Sequence, residues 1–169
     1  MSTPFLVLIR DGVRTTDDWA RLADDAALPA SGKVIISLAR LRKERDALSA
    51  ASLSIGVLVP NTEDVVTLWP ELKDLPLIAL EWPKWPDGRA FSQARVLRER
   101  FGYRGELRAV GDVLRDELQF MHRCGINAFE LRADQNVDEC LRAFGDFSTA
   151  YQRAADTLPN VWAARRARG

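Results

Sequence analysis

The strongest constraint on this chain is an alternation of two kinds of segment. Short apolar runs at residues 34–37, 54–60, 77–82, 106–110 and 128–131 are each followed by a stretch whose apolar residues recur at helical spacing. Leu38, Leu41 and Leu48 mark the first such stretch, and Val65, Leu68 and Leu72 the second. Ala90, Ala94, Leu97 and Phe101 line the third, which runs over 90–101. A fourth is expected to open at Gly111-Asp112 and stop at Gly125, and a fifth spans 137–147 with Val137, Cys140, Leu141 and Phe144 inward. Near-continuous apolar strands alternating with amphipathic helices predict an α/β fold of about five βα repeats around a mainly parallel sheet. A sequential strand order would curl that sheet into a half-barrel, whereas a switched order would give an open, flavodoxin-like sheet. The compact, even spacing favours the curled form.

Ahead of the repeats, Asp11-Gly12 supplies the positive φ of a tight turn between residues 5–9 and 13–15, predicting an N-terminal β-hairpin. Thr16, followed by Asp17 and Asp18, is expected to cap a short helix. Pro29 and Gly32 mark a linker over 26–32, so residues 1–32 are expected to form an appendage. The repeats occupy 33–147, and an Ala- and Arg-rich tail fills 148–169. Pro70 removes a backbone donor and is expected to kink the second helix.

Lys plus Arg and Asp plus Glu both number 24, so no global basic field points to nucleic acid. No apolar run approaches the ~20 residues of a membrane span, and the N-terminus lacks a secretion signal. With only Cys124 and Cys140, neither in a Cys-x-x-Cys pair, and a single histidine, His122, one chain cannot assemble a closed zinc site or an iron–sulfur cluster. No dinucleotide fingerprint or nucleotide-triphosphate loop occurs. The expectation is a cytoplasmic protein with reduced thiols, no cofactor evident in the chain and no nucleophile–base pair.

Ligands of parallel sheets gather beyond the carboxyl ends of the strands. That rule selects Arg40 after the first strand, and Glu81, Trp85, Asp87, Gly88 and Arg89 after the third. It selects Gly111, Asp112 and Arg115 after the fourth and Arg132 after the fifth. Arginines facing a common mouth suit a small anionic ligand, but the same arginines can instead neutralise Glu81, Asp87 and Asp112 in a structural network. Trp82-Pro83 and Trp85-Pro86 stiffen the loop, with Trp82 expected in the core and Trp85 either there or stacking on a ligand or partner. Asp112 is expected to cap the fourth helix.

Residues 87–128 carry a recurring pattern: Asp87-Gly88-Arg89, Ser92, Ala94-Arg95, Leu97-Arg98, then Gly105 through Asp112, then Arg123-Cys124-Gly125. This pattern, with Asp11-Gly12 and Asp17-Asp18-Trp19, resembles an uncharacterised bacterial family, domain-of-unknown-function family number 934, associated with assimilatory sulfite reduction. Members are often labelled probable oxidoreductases because they accompany sulfite reductase. The resemblance implies an accessory role, assisting electron delivery to sulfite reductase or its assembly, with the reductase or its electron donor as partner. It brings no catalytic residues, but it adds Ser92 and Arg95 to the site candidates. A small anion-binding enzyme or oxidoreductase with its site at the strand ends stands as the alternative. A flavoprotein is a third reading, resting on the label and an open-sheet fold.

Overall fold

The computed structural model describes residues 7–84, 87–145, 154–155 and 165–166. Eight strands form one sheet: β1 (Leu8–Arg10), β2 (Val13–Thr15), β3 (Ala20–Arg21), β4 (Ser31–Ser37), β5 (Ser52–Val59), β6 (Leu77–Trp82), β7 (Glu106–Gly111) and β8 (Ala128–Glu130). Their spatial order is β2-β1-β8-β7-β6-β5-β4-β3. From β3 to β8 the neighbours are parallel, and β4 to β8 follow one another in chain order. The sequential, curled half-barrel is therefore the fold.

The curl has a simple geometric cause. β2 and β3 are opposite edges of the sheet, yet residues 16–19 are all that joins them. Eight strands laid flat would separate the edges by about 34 Å, while the five steps from Thr15 to Ala20 reach at most about 18 Å. Only a curled sheet brings the edges within reach. The connecting segment crosses the concave face as a strap, and no helix forms at Thr16. Asp17 instead accepts the Trp19 amide at 3.1 Å and sends its other bonds into the sheet.

The N-terminal hairpin extends the same sheet rather than standing apart. β1 runs antiparallel to β8, with Ile9 opposite Phe129, and Asp11 N donates to Asn127 O at 2.8 Å.

Helices α1 (Leu38–Lys43), α2 (Arg45–Ala50), α3 (Val65–Leu72), α4 (Arg89–Arg95), α5 (Leu118–Arg123) and α6 (Val137–Ala143) follow the strands in turn. The expected single helix over 38–48 is broken at Glu44, where φ −111° and ψ 20° leave the helical region. α3 passes through Pro70 and ends two residues later, capped at its start by Asp64. α4 continues as a π-helical turn over Val96–Arg100. The fourth helix starts seven positions later than Gly111-Asp112 predicts: a 3₁₀ turn at Arg115–Glu117 precedes α5.

Alternation along the strands sorts side chains between two cores. Val57, Val59, Ile78, Leu80, Trp82, Leu107, Ala109 and Phe129 face the helices and meet Leu68, Leu97, Met121 and Cys140. Cys124 and Cys140 are buried free thiols in that layer, as expected of small apolar fillers. The opposite face is smaller: Ile35, Leu77, Ala79 and Val110 pack under Trp19 of the strap, with Leu58 alongside.

Candidate functional site

The parallel sheet brings the ends of β6, β7 and β8 together, and most of the sequence-selected residues collect there. After β6, the Asp87 carboxylate takes a forked pair of bonds from Arg89, at 2.9 Å from Nε and 2.6 Å from Nη2, and also accepts the Arg89 amide at 3.2 Å. Those bonds hold the Asp87 carboxyl far below the usual carboxylate range. The Asn61 amide, after β5, adds to this effect, although its Nδ2 completes no well-formed hydrogen bond. A cavity of about 510 Å³ opens here between Pro83, Lys84, Asp87 and Arg89.

Beyond β7 and β8, Arg132 bridges two loops. Its Nη1 donates to Asp112 at 2.6 Å, while Nε and Nη2 hold Asp134 at 2.7 and 2.8 Å. Hydrogen bonds from Arg132, aided by Gln135, lower the Asp134 pKa to about 2, and the Asp134 and Asp112 carboxylates in turn hold Arg132 more firmly protonated. Asp112 thus braces a loop instead of capping a helix. Arg115 donates from Nη1 to Asp116 at 3.1 Å, and its amide donates to Gln135 at 2.9 Å. Glu81 is half-buried one residue before the end of β6, beside Val110 on the strap-covered face. The arginines of the rim therefore carry carboxylate partners, the outcome that a mutually neutralised network predicts.

Gly111 lets β7 run close to β6. At φ +98° its missing Cβ would stand 2.5 Å from Trp82 O, which accepts the Asp112 amide at 2.7 Å. Gly88 ends the loop into α4, with the Phe91 ring 3.8 Å from where its Cβ would be. Phe91 meets the fully buried Trp82 edge-on at 5.4 Å, and Phe120 lies against Phe91 at 4.9 Å. Phe120 is 53% exposed, so an aromatic pair surfaces between α4 and α5, beside the Asp87–Arg89 loop. Trp85 lies outside the described residues.

Other candidates stand elsewhere. Arg40 is buried and spent on the linker: its two Nη atoms donate to Ala23 O and Ala26 O, and Nε donates to Glu44 at 3.1 Å. Ser92 is exposed on α4, and Arg95 pairs with Glu99 one turn on at 3.1 Å. Arg98 reaches inward. It donates to Gly125 O at 2.7 Å, Gly105 O at 2.9 Å, Asn127 Oδ1 at 3.0 Å and also Tyr103 O. At Gly125, φ is +102° and a Cβ would fall 2.2 Å from Arg98 Cγ. Several positions of the recurring motif thus serve one internal clamp rather than a ligand.

A second concentration of charge lies on the concave face. Arg108, 0% exposed, points from β7 towards the strap, where Nη1 and Nη2 fork onto Asp17 at 2.7 and 3.0 Å, while Nε meets Glu106 at 2.7 Å. Desolvation alone would weaken Arg108 protonation, but the Asp17 bond and the Glu106 charge outweigh it. Glu106 also lies 2.9 Å from Arg10 Nε, a close ion pair without an aligned hydrogen bond. Asp18 links the two ends of the curl one strand in from each edge, touching Lys33 of β4 and, at 3.5 Å, Arg10 of β1. Glu130 of β8 pairs with Arg21 at 2.9 Å, and burial still pushes its carboxyl above the usual range. The signal for this cluster was present in the sequence as Glu106 and Arg108, two charges on one face of an otherwise apolar strand.

Comparison with known families now bears on these residues. The family model described as "Bacterial protein of unknown function (DUF934)" matches residues 56–162. The chain belongs to this family. No curated protein sequence and no solved structure matches it. The DUF934 match takes in the whole strand-end rim from β6 to β8 and the Arg98 clamp, together with Glu106, Arg108 and Glu130; the strap lies before it. Among the described residues of this DUF934 protein, no helix is long and apolar enough to cross a membrane, and no group of His, Cys, Asp or Glu forms a metal site.

Proposed function

We propose that this protein is an accessory factor of assimilatory sulfite reduction, which docks on sulfite reductase or its electron donor and assists electron delivery or assembly. The docking face is the edge of α4 and α5 with the loop after β6. The observation that supports this reading is the exposed Phe120 ring, packed on the half-buried Phe91 beside the solvent-facing Asp87–Arg89 ion pair. Aromatic rings and arginine at a rigid edge are the side chains in which protein interfaces concentrate their binding energy. The pathway comes from the family resemblance, and a cytoplasmic location goes with it.

The test is capture of the reductase or its donor by tagged protein, alongside growth of a deletion strain on sulfite against cysteine. Capture is expected with the wild type and is expected to fall at least tenfold with Phe120→Ser. That variant should stay folded, because an exposed aromatic pair contributes only about 1 kcal/mol. Failure of capture together with unimpaired growth on sulfite would remove the accessory reading.

A second reading is a small anion-binding enzyme or oxidoreductase. It is favoured by the cavity at Lys84 and Arg89, where two cations meet one carboxylate. Glu81 or Asp112 would then act as acid or base. Under this reading Arg89→Ala abolishes turnover of an anionic substrate while leaving the fold intact.

A further inference from the structure

We propose that the concave face of the sheet is a binding site for a small, doubly charged oxyanion, and that Asp17 and Asp18 of the strap occupy it as an internal stand-in. Four cations line this face or its edges: Arg10, Arg21, Lys33 and Arg108. Four carboxylates pair with them, and of these only Glu106 and Glu130 belong to the strands; Glu81 of β6, beside Val110, shares the face. The other two, Asp17 and Asp18, arrive on the strap. Displacing them takes two negative charges away from Arg10, Lys33 and Arg108, the amount that a dianion restores.

The geometry fits that exchange. Arg108 turns both Nη atoms onto one carboxylate, a forked arrangement that serves a tetrahedral oxyanion as well as a carboxylate. Burying a guanidinium completely is costly, and an apolar residue at a purely structural position would stabilise the fold at least as well. The strap is also held in a way that can yield. Residues 16–19 belong to no strand or helix, and their ties to the sheet are side-chain contacts: the ion pairs of Asp17 and Asp18, and the packing of Trp19. The Asp17 and Asp18 side chains are 30% and 49% exposed, so an anion from solvent can approach them without opening the sheet. Trp19, packed on Ile35 and Val110, would anchor the strap as its carboxylates give way.

Sulfate is the probe, with sodium chloride at equal ionic strength as control. The Asp17→Asn/Asp18→Asn double variant is expected to bind sulfate at least tenfold more tightly than the wild type by calorimetry. Adding Arg10→Gln to it should reverse most of the gain, whereas adding Arg89→Gln should not, which separates this face from the strand-end rim. In the wild-type protein, sulfate should speed hydrogen exchange at the Leu22 amide, which donates to Ile35 O of β4 just past the strap and β3, at least threefold over chloride. Equal sulfate affinity of double variant and wild type would overturn the proposal, as would gain that survives Arg10→Gln but not Arg89→Gln. Should the double variant not fold, unchanged exchange at Leu22 in the wild type would overturn it alone.

Discussion

Arg98 and Arg108 lie ten positions apart and do opposite kinds of work. Arg98 has three carbonyls and an amide oxygen as partners, so its value is geometric: one planar group ties the ends of α4, β7 and the loop before β8. Desolvation lowers its pKa without a nearby carboxylate to compensate fully. Arg98→Ala should cost roughly 2–4 kcal/mol in urea unfolding, because buried carbonyls lose their donor. Arg98→Lys should recover little, since an ammonium cannot span acceptors set for a fork. The rim makes a different prediction. Asp134, paired to Arg132, should titrate at about 2 by carboxyl NMR, and Arg132→Gln should return it towards 3.8. Because the folded value is depressed, the stabilisation from this pair is present above about pH 3.8 and is lost as pH falls through about 2. At this scale the short-range ion pairs of the rim were legible in the sequence and the long-range ones were not. Arg89 and Asp87 are two apart and could be paired by inspection; Arg108 and Asp17 are separated by 91 positions and could not.

Among the elements, strands were the most legible. Residues 77–82 show the bounds of β6 in the sequence, because a parallel strand buried at every position but Glu81 is a near-continuous apolar run with sharp ends. Helix boundaries were less so. Glu44 interrupts a run with sound periodicity, and Gly111-Asp112 has the composition of a helix entry while serving to extend the β6–β7 ladder. Gly111→Ala tests that role: positive φ and a Cβ driven onto the Trp82 carbonyl should together cost roughly 2–4 kcal/mol in thermal or urea unfolding. The strap was the least legible element. Thr16-Asp17-Asp18 satisfies a helix N-terminus locally, but an edge-to-edge crossing in four residues leaves no length for one, and the carboxylates find Arg108, Arg10 and Lys33 instead.

For the whole molecule, the concave charges link stability to pH. Glu130 is the clearest case, since burial raises its folded pKa above the ordinary 4.5 despite Arg21 and Arg108 nearby. A raised carboxyl means that the folded state binds the proton more tightly, so stability declines as pH rises from about 4.5 through the folded value. Glu130→Gln should remove that decline, and the difference between wild type and variant in urea unfolding at pH 4.5 and 7 measures it. The α/β class, the βα rhythm, the N-terminal hairpin and the buried Trp82 were determined by the sequence alone, because apolar periodicity and turn chemistry act over a few residues. The tertiary structure decided how tightly the sheet curls, that the hairpin joins it, and which arginines are neutralised. Those depend on where distant segments meet, and a charge's partner is set by distance in space, which local pattern does not encode.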